Sequence, residues 1–322
     1  MAGSAEFSRI AGALRRRWWI VLGGGLLGLL MAQVLSSSNV PLLVLGGFVG
    51  LGLFAALAFA FDVILNRVAS VDDVESRTGS PVLVQLGSEA VRVGNPVMRT
   101  QPNSDEAHAY RRLAAAVLAA THEETACHKL MLASADQTAA HAMVATNLAL
   151  AVEESGKRVV LIAGDRQRND IDAIFSLEGR DGLQQVLDGT RAVDFVAISP
   201  RLSLMPTGRE RSFNFLDRDA SPVDVGASED LNSVPTLERV RAMFKSASSW
   251  ADVVIVDTSP ALSYADARVF VELSDSVILS VTTGRTTLGE VSELASMMRS
   301  VGVPVLGSVL LDKAELPPAK KH

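Results

Sequence analysis

Two long apolar runs, five residues apart, constrain this chain more than any other feature. Residues 18–35 (WWIVLGGGLLGLLMAQVL) give 18 positions without a charge, and residues 41–61 give 21 more. As helices they would reach about 27 and 32 Å at 1.5 Å per residue, enough for a hydrocarbon core of roughly 30 Å. Only Ser36-Ser37-Ser38-Asn39-Val40 separates them, a turn too short for a domain. The expectation is a transmembrane hairpin over residues 18–65, and a mean hydropathy of +0.26 agrees with it. Arg15, Arg16 and Arg17 precede the first run, Arg67 follows the second, and the turn has no Lys or Arg. The positive-inside rule then places both ends in the cytoplasm, with Trp18 and Trp19 at the interface. A cleaved signal peptide fits poorly, because the second run follows at once and Met31-Ala32-Gln33 is a weak cleavage site. Gly24/Gly28 and Gly46/Gly50 have GxxxG spacing, which suits close helix packing but also follows from the abundance of Gly in membrane helices.

Beyond the hairpin the pattern changes. Residues 66–104 read as a membrane-proximal segment and linker. They include a short strand-like run at Pro81–Leu86 and an aperiodic stretch from Gly87 to Ser104. Residues 105–312 then alternate helix and strand, and residues 313–322 form a tail. Asp105–Ala120 has helical spacing of its apolar residues. Compact Val/Ile/Leu runs follow at 129–134, 158–163, 202–205, 252–256, 276–281 and 303–310. Helices are expected between them at 142–155, 182–187, 237–246, 265–273 and 288–300, and 206–235 reads as a polar loop. Such runs imply an α/β fold, a parallel sheet covered by helices on both faces. Ligands in such sheets lie beyond the carboxyl ends of the strands.

The turn after the first of these strands runs from Ala133 to Met143 (ASADQTAAHAM) and contains neither glycine nor lysine. Around it, Asn147-Leu148-Ala149-Leu150-Ala151, Gly156-Lys157-Arg158-Val159-Val160-Leu161-Ile162 and Asp252–Pro260 (DVVIVDTSP) resemble the bacterial tyrosine kinases and their polysaccharide co-polymerase relatives. These form part of the MinD/ParA group of deviant-Walker ATPases. Asp266-Ala267, Asp275, Val305-Leu306-Gly307 and the stretch from Val71 to Leu83 fall at familiar places too. The resemblance covers nearly the whole chain except the family's extracytoplasmic domain, replaced here by the five-residue turn. It implies a degenerate P-loop NTPase-like fold preceded by the two-helix hairpin. Counting back from Asn147, the family's Gly-Lys-Ser/Thr-Thr falls on Ala140, His141, Ala142 and Met143, and an earlier glycine falls on Thr138. Its Asp-x-Asp falls on Ala163-Gly164-Asp165, and Asp257 holds the Walker B position. The family's ring-forming Glu-x-x-Arg-x-x-Arg helix falls near His108, Arg111 and Ala114, where Arg111 alone matches and Glu106 and Arg112 are close.

With Cβ atoms where backbone must approach phosphate, no magnesium ligand at Ala142 or Met143, and only Asp165 and Asp257 left, the expectation is a chain that is not an enzyme. It would have no catalytic residues, no metal and no cofactor. The resemblance implies a pseudokinase-like scaffold or regulator in polymerisation or export of exopolysaccharide or capsule. Its setting would be the bacterial inner membrane, with two spans and both termini cytosolic. Expected partners are the lipid bilayer and a polysaccharide polymerase, flippase or glycosyltransferase, with homo-oligomers also open. The alternatives are an active ATPase or kinase with a non-standard phosphate loop, its cation donated by Lys129, Lys157 or a partner, or a MinD/ParA-like positioning protein.

Other classes fall away. One cysteine, Cys127, rules out a disulfide framework. A net charge of −6 argues against a nucleic-acid binder. Two tyrosines, Tyr110 and Tyr264, exclude a tyrosine-cluster substrate tail. His122, Cys127 and His128 lie in HEETACH, which is not HExxH, and read as a solvated loop rather than a zinc site. Arg166-Gln167-Arg168 could take an anion or serve as a plain solvated face.

Overall fold

The computed structural model describes residues 48–49, 52–54, 66–91, 94–121, 127–136, 138–166, 168–209, 234–258, 261 and 266–312. The chain forms two compact units, residues 1–67 and 68–322. In the first, residues 48–49 and 52–54 are helical, and Phe48, Val49 and Leu53 are exposed. Among the described residues no helix is long and apolar enough to cross a membrane. The rest of the expected hairpin lies outside the described residues, including Arg15, Arg16, Arg17, Trp18, Trp19, Gly24, Gly28, Gly46 and Gly50. So do His122, Tyr264 and most of the polar loop.

The second unit is a helix-covered sheet. Its helices are α1 (Val71–Thr78), α2 (Val97–Thr100), α3 (Asp105–Ala120), α4 (Ala139–Glu154), α5 (Asp170–Phe175), α6 (Leu183–Leu187), α7 (Val234–Trp250), α8 (Asp266–Glu272) and α9 (Leu288–Val301). Its strands are β1 (Val82–Leu86), β2 (His128–Ser134), β3 (Val159–Gly164), β4 (Val196–Ala197), β5 (Leu202–Met205), β6 (Val253–Thr258), β7 (Ser276–Thr282) and β8 (Val305–Leu311). The sheet order is β1-β8-β7-β2-β6-β3-β5-β4. All pairs are parallel except β4 with β5.

Side-chain alternation along the strands divides the core. Leu130, Leu132, Leu161 and Ile255 pack against α3 and α4 on one face. Met131, Val160, Ile162 and Val254 pack against α6 to α9 on the other. The central strands are buried throughout, which is why they read as unbroken apolar runs.

The stretch 87–104, expected as a linker, is packed into the core. Ala90, Val91, Val97 and Met98 are buried. Tyr110 Oη donates to the Ala90 carbonyl at 2.9 Å, and Asn147 Oδ1 accepts from Met98 N at 3.0 Å. These anchors come from α3 and α4, so no local periodicity betrays them. The segment before it also joins the fold. Ser70 and Asp73 exchange side-chain to backbone hydrogen bonds that start α1, and Gly79 ends it at φ 71°. Strand β1 then adds to the sheet edge beside β8.

A last feature pins the end of β5. The Asp172 carboxylate on α5 accepts from Thr207 N at 3.0 and 3.1 Å. Burial pushes its carboxyl up to about 6, against backbone hydrogen bonds that favour the ionised form.

Candidate functional site

Strands β2, β3 and β6 run parallel, so their carboxyl ends open on one edge. There Ser134, Asp136, Thr138, His141, Ala142, Ala163, Asp165, Arg168, Asp170, Ile171, Asp257 and Thr258 line one narrow cleft. Of the positions expected at the phosphate loop, Thr138, His141 and Ala142 face it, while Ala140 and Met143 are buried without lining it. Asp165 and Asp257 both line it.

The cleft has an acidic and a basic part. Asp257 is buried on β6, level with Ala163 on β3. Burial first, then the charges of Asp165 and Asp170, push its carboxyl well above the usual range, and Arg168 only partly offsets this. Arg168 Nε lies 2.5 Å from Asp170 Oδ2. On the β2–α4 turn, His141 Nε2 donates to Asp136 Oδ1 at 2.7 Å, and His141 Nδ1 shares a hydrogen bond with Ser280 Oγ of β7 at 2.8 Å. Arg285, from the turn after β7, brings Nε within 3.3 Å of Asp136 Oδ2. Thr138 caps α4 by position, yet its buried Oγ1 has no hydrogen-bond partner.

Gly164 is required by close approach. A Cβ there would stand 2.6 Å from the Asp257 carbonyl oxygen. The glycine at the middle position of the motif therefore lets β3 and β6 meet beside Asp257.

Several expected site residues lie elsewhere. Lys129 pairs with Asp275 at 2.8 Å, at the amino end of β2, and Lys157 precedes β3. Neither is at the carboxyl edge. Arg168 and Arg285 are the cations there, and sequence reasoning missed Arg285, Asp136 and Asp170. The available signal was position: each lies within six residues of the carboxyl end of a strand. His128 is buried with Nε2 2.9 Å from Ser276 Oγ, and Cys127 is buried. Among the described residues no group of three or more His, Cys, Asp or Glu could hold a metal ion alone. Arg111 pairs with Glu154 of α4 through Nε at 2.7 Å and Nη2 at 2.9 Å.

No family model matches the chain. Curated relatives do. The chain is 25% identical over 280 residues to the putative tyrosine-protein kinase EpsB of Ralstonia solanacearum, covering 82% of this chain and 35% of that one. It is 23% identical over 219 residues to the tyrosine-protein kinase YwqD of Bacillus subtilis, covering 68% and 86%. It thus spans about a third of EpsB's length. The kinase domain of the Escherichia coli tyrosine kinase ETK superposes with a TM-score of 0.63 at 21% identity, covering 79% of this chain and 98% of that domain. At that identity the superposition speaks for the fold. The homologues are bacterial tyrosine-protein kinases, and the sheet is that of their kinase domains. This corrects the expectation of a chain that is not an enzyme. Relatives named as tyrosine-protein kinases and a matching kinase domain point to an enzyme.

Proposed function

We propose that the chain is a nucleotide-dependent phosphotransferase of the tyrosine-kinase type whose phosphate site rests on arginine and histidine rather than lysine. The observation that carries this reading is the convergence of Asp165, Asp257, Arg168 and His141 on one cleft at the carboxyl ends of parallel strands. That is where doubly covered parallel sheets hold ligands.

Asp257 fits a divalent cation. Burial and the neighbouring carboxylates push its carboxyl well above the usual range, and a cation would favour its ionised form. Asp165 and Asp257 would hold the cation together with phosphate oxygens. Such a cation would neutralise charge on the transferred phosphoryl group. Arg168 would face the same phosphates, its planar fork matching their oxygens. The turn itself does not fit the usual glycine-built cradle, because Thr138 and Ala140 carry Cβ atoms there.

The acceptor is a tyrosine of another protein. Tyr110 is fully buried with its hydroxyl bonded to Ala90, and the chain has one other tyrosine. The setting proposed is the bacterial inner membrane, with residues 18–65 as a hairpin and both termini cytosolic. The process is polymerisation or export of cell-surface polysaccharide beside a polymerase, flippase or glycosyltransferase. The apolar runs, the flanking arginines and the family resemblance support this.

Calorimetric titration of the full-length chain with ATP and Mg²⁺ tests the reading. Binding that is lost in Asp257→Asn and weakened in Arg168→Gln is expected. No binding at millimolar nucleotide by any folded form of the chain overturns it.

A further inference from the structure

The Asp136 carboxylate is held by the same groups that a phosphate would need. His141 Nε2 donates to it at 2.7 Å and Arg285 Nε lies 3.3 Å away. The His141 and Asp136 side chains are 7% and 11% exposed, so their contact is nearly dry, while Arg285 is half exposed. It stands two residues ahead of Thr138, the N-cap position of the 16-residue α4, where the helix end favours an anion. The Thr138 hydroxyl, 7% exposed and without a partner, lines the same cleft.

We propose that Asp136 is a built-in acidic plug, occupying the oxyanion position that His141, Arg285 and the start of α4 create, and that a phosphate group binds there by displacing it. The inference rests on the phosphotransferase reading and adds the regulation of that site.

Three observations make Asp136 the movable partner. The two donors are held by their surroundings. His141 is on α4 and is tied through Nδ1 to Ser280. Arg285 sits in a turn whose backbone is clamped by Val68, with Gly284 N donating to Val68 O at 2.8 Å and Val68 N to Thr286 O at 2.9 Å. Asp136, by contrast, is on the loop between β2 and α4. Burial would raise its carboxyl, but the hydrogen bond and charge of His141 and the charge of Arg285 reverse this and hold it below the usual range. The plug is therefore ionised at neutral pH and competes with any incoming anion. If it left with no replacement, the buried His141 Nε2 would lose its hydrogen-bond partner, which is costly. An arriving phosphate removes that cost, because it satisfies the same donors. Plug release and phosphate entry are thus one exchange.

The test is calorimetric titration of ADP with Mg²⁺ into the full-length chain, with thermal melting of each variant as a check on folding. Asp136→Asn keeps the shape and removes the competing charge. It is expected to bind about tenfold tighter than the unaltered chain or more, a gain of ~1.4 kcal/mol. In Asp136→Asn/Arg285→Gln that gain is expected to vanish. If the unaltered chain binds and Asp136→Asn binds equally or more weakly, the plug is overturned and the phosphotransferase reading stands. If folded protein of every kind fails to bind, the phosphotransferase reading falls and the plug falls with it.

Discussion

Replacing Gly164 by alanine puts a methyl carbon 2.6 Å from the Asp257 carbonyl oxygen and 3.2 Å from Val256 Cγ1. Ordinary contact begins at 3.4 Å, so the deficit to the carbonyl is about 0.8 Å, an overlap of the kind that overpacked cores resolve by shifting backbone. The carbonyl belongs to the carboxyl end of β6, which is paired on both sides there, and cannot yield alone. Overpacking of this kind costs about 1–3 kcal/mol. For a unit of this size each kcal/mol lowers the melting temperature by about 2–4 °C, so a drop of roughly 2–12 °C is expected. Asp257 moves with its backbone, so affinity for ADP with Mg²⁺ should fall in the same variant. The control is Gly289→Ala in the first turn of α9, where the nearest atom, Thr287 Oγ1, is 3.8 Å away. That variant should melt at or slightly above the unaltered temperature, since alanine suits a helix better. The assay is thermal unfolding by circular dichroism. A Gly164→Ala protein melting within about 1 °C of the original would refute the claim that β3 and β6 need this glycine.

Tyr110→Phe removes the one hydrogen bond that the Ala90 carbonyl receives from α3, and should destabilise the fold by about 1–2 kcal/mol in denaturant titration. An unchanged midpoint would show that 87–104 is not held through this contact. Asp172 gives a pH dependence of known sign. Its folded carboxyl is raised to about 6 from 3.8, so the folded state binds more protons across that window. Stability should therefore fall as pH rises from 3.8 to about 6. Asp172→Asn should flatten that part of the melting-temperature profile, and an unaltered slope would assign it to other groups.

The burial pattern of single elements was readable from the chain. Strands β2, β3, β6 and β7 are covered on both faces, so each is an apolar run with no alternation to confuse it. Helix α3 was bounded correctly because Ser104 accepts from Ala107 N at its start and its apolar face repeats at helical spacing. The positions of Asp165 and Asp257 at strand ends placed both on the edge where the cleft lies. Elements defined by distant partners were not readable. The stretch 87–104 has no period of its own, because Tyr110 and Asn147 supply its anchors. Helix α1 is short, and its few apolar residues find their cover on α9 and β8. The site divided along the same line. A missing lysine is visible in one turn of sequence. Arg285 is 149 positions from Asp136, and β7 and its following turn bring it there only after the sheet has formed. Local sequence sets which segments bury their faces, since periodicity is a local property. Which cation meets which carboxylate depends on strand order, and strand order is set by packing between segments far apart in the chain.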